Sequence, residues 1–173
     1  MSRSTSGVRV EIRAVRPTDQ AELARFYGAL SADSRYARFL ATTPGITDRA
    51  AASFCGLDHE HREGLVATVH LADRSVQIVG HLCLDPLEDA AFEMAVAVAD
   101  GWRGQGIGRR LLNEAIEWAS RHDIAHLRAS MLATNVAVLA LIRSTGRTVV
   151  LTSPDCGVIE ADIAISPSVD AAA

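Results

Sequence analysis

The chain contains no lysine, and all 17 of its basic residues are arginines. Codon usage in a GC-rich genome accounts for such a bias without any functional reason. One consequence is chemical all the same: a phosphate-binding loop of the Gly-Lys-Ser/Thr kind cannot be built without lysine. Cysteine is scarce as well. Cys55, Cys83 and Cys156 are odd in number and far apart, which argues against a disulfide framework. It argues equally against a zinc site, which wants close Cys/His pairs. No apolar run approaches the roughly 18 residues of a membrane span. Residues 1–7 are polar and lack the apolar stretch of a signal peptide, so a cytoplasmic location without membrane contact is expected. The formal charge of −4 leaves no basic field for nucleic acid.

What is present is an ordinary globular composition, 49% hydrophobic and 22% charged over 173 residues. That length favours one domain spanning 1–173, with an ordered core over about 8–165 and flexible tails at 1–7 and 166–173. Val8, Val10 and Ile12 alternate with charged residues, the period of a strand with one buried face. Pro17-Thr18-Asp19 starts a helix whose apolar face is Ala21, Leu23, Ala24, Phe26, Tyr27 and Leu30. Short helices are expected over 31–40 and 47–55, and a hairpin over 65–71 and 76–84 turning at Asp73-Arg74-Ser75. A third strand follows over 92–98. Ile107, Leu111, Leu112, Ala115, Ile116 and Ala119 then share one face of a helix over 107–122. A strand over 127–132, a helix over 134–144 and strands over 148–152 and 158–165 complete the order. This is an α/β (α+β) pattern: a single mixed, largely antiparallel sheet with helices on both faces.

The segment richest in chemistry joins the strand Phe92-Glu93-Met94-Ala95-Val96-Ala97-Val98 to the 107–122 helix through Gly101-Trp102-Arg103-Gly104-Gln105-Gly106-Ile107-Gly108. The first turn of a helix has unpaired N–H groups and the positive end of the macrodipole. Glycines let a phosphate approach those groups closely, so the geometry makes an anion site. A dinucleotide fingerprint would need glycine at 109, where Arg109 stands.

Arg-Gly-x-Gly-x-Gly after a Val-Ala-Val strand, with Asn135 after the next strand, resembles the acyl-CoA loop of the GNAT superfamily of N-acetyltransferases. Residues 30–39, Pro44 and 58–67 look like the Pat-type bacterial protein lysine acetyltransferases within it. The resemblance implies a GNAT fold and acetyl-CoA as co-substrate, with no metal. It implies that backbone groups of Val96, Ala97 and Val98 pair with the pantetheine arm as though it were an added strand. The N–H groups of Arg103, Gly104, Gln105, Gly106, Ile107 and Gly108, extending to Arg109 and Arg110, would hold the pyrophosphate. Asn135 would bond the pantetheine or position the thioester. Glu93 matches the general base of the Pat-like enzymes. The acceptor implied is a primary amine, foremost a protein lysine; an enzyme of that kind built without lysine has no side chain of its own to modify. No partner domain of the Pat type fits within the chain, and the resemblance leaves a homodimer open.

The proposed base makes chemical sense. A lysine amine has a pKa of about 10.4 and must lose its proton before it attacks a thioester. A nearby carboxylate can take that proton directly or through one water, and burial would make it a better base. A solvated glutamate at a strand edge is the plain alternative. Two positions depart from the family pattern. Ile142 stands where many GNAT enzymes carry a tyrosine able to protonate the leaving thiolate, and Arg147 follows Gly146 where phenylalanine is usual. Arginine there would widen or recharge the site. These departures keep two rivals open, a small-molecule amine acetyltransferase and a catalytically weak acyl-CoA-binding regulator.

Four other features need weighing. Cys83 could be a nucleophile but reads better as a small core residue. His59-Glu60-His61 lacks the spacing of a metal-binding helix and falls in a loop. Arg35 and Arg38 flank Tyr36 on a short helix, either as a solvated face or in contact with substrate. Trp102 is a packing residue.

Overall fold

A computed structural model describes residues 9–165; Val8 and the tails 1–7 and 166–173 lie outside the described residues. The elements run β1 (Val10–Ala14), α1 (Gln20–Ala29, entered through a 3₁₀ turn Pro17–Asp19), α2 (Ala32–Phe39), α3 (Asp48–Cys55), β2 (Glu63–His70), β3 (Val76–Pro86) and β4 (Phe92–Val98). A second 3₁₀ turn, Asp100–Trp102, leads into α4 (Ile107–Arg121), then β5 (His126–Leu132), α5 (Val136–Arg143), β6 (Val149–Leu151) and β7 (Val158–Ala164). This is the element order expected from periodicity; β4 has the expected bounds and most other ends differ by a residue or two, as element ends commonly do.

All seven strands join one sheet in the order β1-β2-β3-β4-β5-β7-β6. Every neighbouring pair is antiparallel except β4 and β5, which are parallel. The central strands explain their own composition. β2 is buried along nearly its whole length because helices cover both faces of the sheet there, so it reads as a continuous apolar run. β7 alternates buried and half-buried positions, the pattern of a strand with one covered face.

On one face Leu65, Ala67, Val69, Leu82, Leu84 and Met94 pack with the apolar stripe of α4. On the other, Val66 and Ile78 pack with Leu23, Phe26, Tyr27 and Leu30 of α1 and its end, and with Cys55 of α3. The seating of α4 is close. A Cβ on Gly80 of β3 would come within 3.0 Å of Leu111 Cδ1 and 3.2 Å of Ile107 Cγ2. That contact holds the first turn of α4 against the middle of the sheet, where β4 ends.

The entry to α1 is pinned by charge. Arg13 of β1 donates from both guanidinium arms to Asp19, at 2.7 and 2.8 Å, and the Arg16 N–H donates to the same carboxylate at 2.8 Å. Burial alone would push the Asp19 carboxyl up; the Arg13 and Arg16 donors outweigh it and hold it below the usual range. A carboxyl held low stabilises the fold fully above its ordinary pKa and ceases to as pH falls through its own depressed value. Asp19→Ala should therefore lower the unfolding free energy at neutral pH by about 3 kcal/mol in denaturant titrations. The gap between variant and wild type should close on acidification below about pH 4.

Candidate active site

β4 and β5 pair at only two positions, Phe92 with Leu127 and Glu93 with Arg128. Beyond Glu93 they separate, although each keeps its outer neighbour: β4 stays in register with β3 to Val98, and β5 with β7 to Leu132. The sheet is thus split from Met94 onward. The cleft that results has a volume of about 620 Å³; residues 94–98 form one wall and 129–132 the other. The loop before α4 closes one end, α5 contributes Val138 and Leu141, and Ser34, Ala37 and Arg38 of α2 close the opposite side.

The loop has the backbone an anion needs. Gly104 and Gly106 take left-handed φ values of 72° and 77°, and nothing lies within 4 Å of where their Cβ atoms would be. Side chains are disfavoured there by backbone conformation while the space beside it stays open. Gly106 is the N-cap of α4 and offers no side-chain acceptor, so the first-turn N–H groups are left for a ligand. Gly108 serves packing instead: a Cβ there would sit 3.3 Å from Leu141 Cδ2. An elongated ligand with a pyrophosphate at the loop and an amide-bearing arm along β4 fits these residues. The edge of residues 94–98 that faces β5 has no strand partner among the described residues.

Of the residues singled out by sequence, Val96, Ala97, Val98, Arg103, Gly104, Gly106, Ile107, Gly108, Arg109 and Asn135 all line this cleft. Gln105 lies in the loop without lining it, and its side-chain amide donates to the Gly101 carbonyl at 3.4 Å. Glu93 stands at the last paired position, is exposed, and lies outside the lining. The burial that would strengthen it as a base is absent. Its register partner on β3 is Asp85, which places it on the same sheet face as Cys83 and Arg38. Asn135 has a local role the sequence reading did not include: it caps α5, its Oδ1 accepting from the Val138 N–H at 3.3 Å.

The Arg147 expectation is corrected, and the other readings find their structural places. Arg147 neither widens nor recharges the cleft, because its guanidinium donates to the Ile165 carbonyl beyond the end of β7. Ile142 is fully buried in the α4-side core, so the place of the absent tyrosine is filled by packing. His59 bonds Glu63 at 2.7 Å and His61 bonds Asp58 at 2.9 Å, and among the described residues no His/Cys/Asp/Glu cluster could hold a metal. Burial pushes the Cys83 thiol up, which disfavours the thiolate a nucleophile requires. Arg35 is structural: Nε donates to the Thr43 carbonyl at 2.8 Å, and Nη1 to the Leu30 carbonyl.

Two features escaped sequence reading because their partners are far apart in the chain. Asp100, just before the loop, accepts from the Ser31 N–H at 2.8 Å and from the Ser34 hydroxyl, and Arg103 Nη2 donates to the same hydroxyl at 2.7 Å. Partial burial would raise the Asp100 carboxyl, but Ser34, Ser31 and the Arg103 cation hold it low. The glycine-rich loop is thereby tied to the N-terminus of α2. Beneath that helix, the Tyr27 hydroxyl and His81 Nδ1 share a buried hydrogen bond of 2.7 Å. Burial, with the Arg38 cation nearby, pushes His81 down to about 3 and leaves it neutral. A histidine inside the apolar run Ile78-Val79-Gly80-His81-Leu82 was the only local signal.

The Acetyltransferase (GNAT) family profile matches residues 25–146 of the chain. Among solved structures, the GNAT domain of Streptomyces lividans PAT superposes with a TM-score of 0.78 at 23% identity, covering 90% of each chain. YncA of Salmonella typhimurium, solved with its cofactor acetyl-CoA, superposes at 0.75 and 21% identity over 94% of this chain and 96% of that one. A ribosomal-protein-alanine N-acetyltransferase from Brucella melitensis gives 0.67 at 26% identity, covering 88% and 98%.

Two variants test the site. Acetyl-CoA should raise the melting temperature of the wild type, and Gly106→Asp should abolish that shift while the unliganded protein loses only about 1–2 kcal/mol from the left-handed backbone. An undiminished ligand shift in that variant would remove the loop from the binding site. Asn135→Ala should cost about 1 kcal/mol of stability from the lost cap alone. An effect on acetyl-CoA affinity beyond that, by calorimetry, is expected if the amide also meets the ligand.

Proposed function

The chain belongs to the Acetyltransferase (GNAT) family, and from that premise we propose that it acetylates a primary amine, foremost a protein lysine, with Glu93 as general base. It is an acetyl-CoA-dependent N-acetyltransferase. The observation that carries the residue assignment is the position of Glu93 at the apex of the split between β4 and β5. There the carboxylate stands one residue before the free edge begins, on the sheet face that carries α2. No helix among the described residues is long and apolar enough to cross a membrane.

The thioester supplies the activated acyl carbon, and the protein's part is to hold it and to move one proton. The loop amides and the α4 dipole take the pyrophosphate, so the acyl end is directed along β4 toward Glu93. The β4 edge fixes the arm through main-chain hydrogen bonds, which turns the encounter of amine and acyl carbon into a positioned one. Glu93 takes the proton from the incoming ammonium, directly or through one water, and frees the lone pair that attacks. Ile142 offers no proton to the leaving thiolate, so water supplies it. Lysine leads among acceptors on the Pat-like residues 30–39 and 58–67. A small amine is the second reading, favoured by the unpaired cation at Arg38.

Glu93→Gln keeps shape but cannot accept a proton. Turnover at neutral pH should fall by about 10²–10⁴, with acetyl-CoA affinity little changed. The deficit should shrink as pH rises toward the amine's own pKa of about 10.4, because more acceptor arrives deprotonated. Full activity at neutral pH would make Glu93 structural. Lost acetyl-CoA binding would place it in the cofactor site.

A further inference from the structure

Arg38 lines the cleft from α2, and among the described residues no carboxylate lies within ion-pair distance of it. Its guanidinium is caged by aromatic rings, 4.8 Å from the Phe39 centroid, 5.9 Å from Tyr27 and 6.0 Å from Phe54. Nη2 donates to Cys83 Sγ at 3.3 Å, and Nε is buried without a partner. Neither polar neighbour is a counter-ion. Burial pushes the Tyr27 phenol up to about 12 and raises the Cys83 thiol, so both stay neutral. Asp85, on the same sheet face, is already bound by Arg62 at 2.5 Å. Glu93 is the carboxylate of β4 whose field reaches Arg38, and it stands beyond contact.

A guanidinium cannot shed its proton, so desolvating one without a countercharge is costly unless something returns the favour. Three rings fix its plane and orientation, which is how a binding group is preorganised rather than how a charge is neutralised. The same sheet face therefore offers a carboxylate at Glu93, just outside the cleft lining, and at Arg38, within it, a cation without a carboxylate partner. That pair complements an acceptor with an ammonium at one end and an acid at the other.

Resting on the acetyltransferase reading above, we propose that Arg38 receives a carboxylate of the acceptor, so that the amines acetylated here carry an acid group near the reacting nitrogen. Two sources share that chemistry: the carboxylate of a free amino acid, and an acidic side chain beside the reacting lysine of a protein. The fork geometry of arginine suits either, through two parallel N–H···O bonds.

The test uses the full chain, acetyl-CoA and two matched acceptor pairs, with CoA release as the readout. One pair is free lysine against lysine amide; the other is a lysine peptide with a neighbouring glutamate against the same peptide with glutamine. Wild type should favour the acid member of one pair by about tenfold or more in kcat/KM, carried mainly by KM, and the pair that shows it identifies the source. In Arg38→Met the ratio should fall toward one, and Arg38→Lys should keep part of it. Should melting curves show Arg38→Met unfolded, the reduced ratio in Arg38→Lys decides. Equal use of acid and neutral members by the wild type, or a ratio undiminished in these variants, overturns the assignment while leaving the transferase intact. If no member of either pair supports CoA release, in protein that still binds acetyl-CoA, the lysine-acceptor reading is overturned and this one with it.

Discussion

The parallel contact between β4 and β5 lasts for two residue pairs and no more, and the rest of the site follows from where it stops. A sheet interrupted in its middle leaves main-chain donors and acceptors that water or a ligand must satisfy. Here the interruption is held open from both sides. β3 keeps β4 straight to Val98, β7 keeps β5 straight to Leu132, and α4 is seated against Gly80 so that its first turn faces the end of β4. No loop has to move to create the cleft; the strands' outer partners create it.

That origin explains what could be read in the sequence and what could not. The glycines of the loop, the apolar stripe of α4 and the strand before it are local patterns, and each stands where periodicity and turn chemistry put it. Glu93 was singled out by the family resemblance, but its exposure was not legible, because exposure depends on where β5 leaves β4. Arg147 and Ile142 looked like changes to the site and prove to be changes beside it. One is tied to the Ile165 carbonyl and the other is a residue of α5 turned into the α4-side core. Arg38 could be read either as solvated or as touching substrate. Its aromatic cage draws on residues from α1 and α3, as well as on its neighbour Phe39, and only the fold assembles it. Asn135 carries the commonest of helix signals, an N-cap side chain, and the resemblance to a family drew attention away from it.

The two ends of the cleft are not independent. Asp100 opens the 3₁₀ turn that leads into the loop, Arg103 follows it, and both reach Ser34 at the start of α2. Arg38 lies one helical turn further along the same helix. Arg103 and Asp100 thus tie the loop at one end to the helix that shapes the other.

The free edge of β4 also has a bearing on how such a protein can change over generations. A ligand held by main-chain N–H and C=O groups does not register which side chains the strand carries, provided the strand stays a strand. Val96 and Val98 can then be exchanged for other β-formers as the core beneath them drifts, without the loss of a recognised group. On the side formed by α2, Arg38 and Ser34 present side chains, so any exchange there changes the group that is offered. The split sheet keeps these two kinds of inheritance apart.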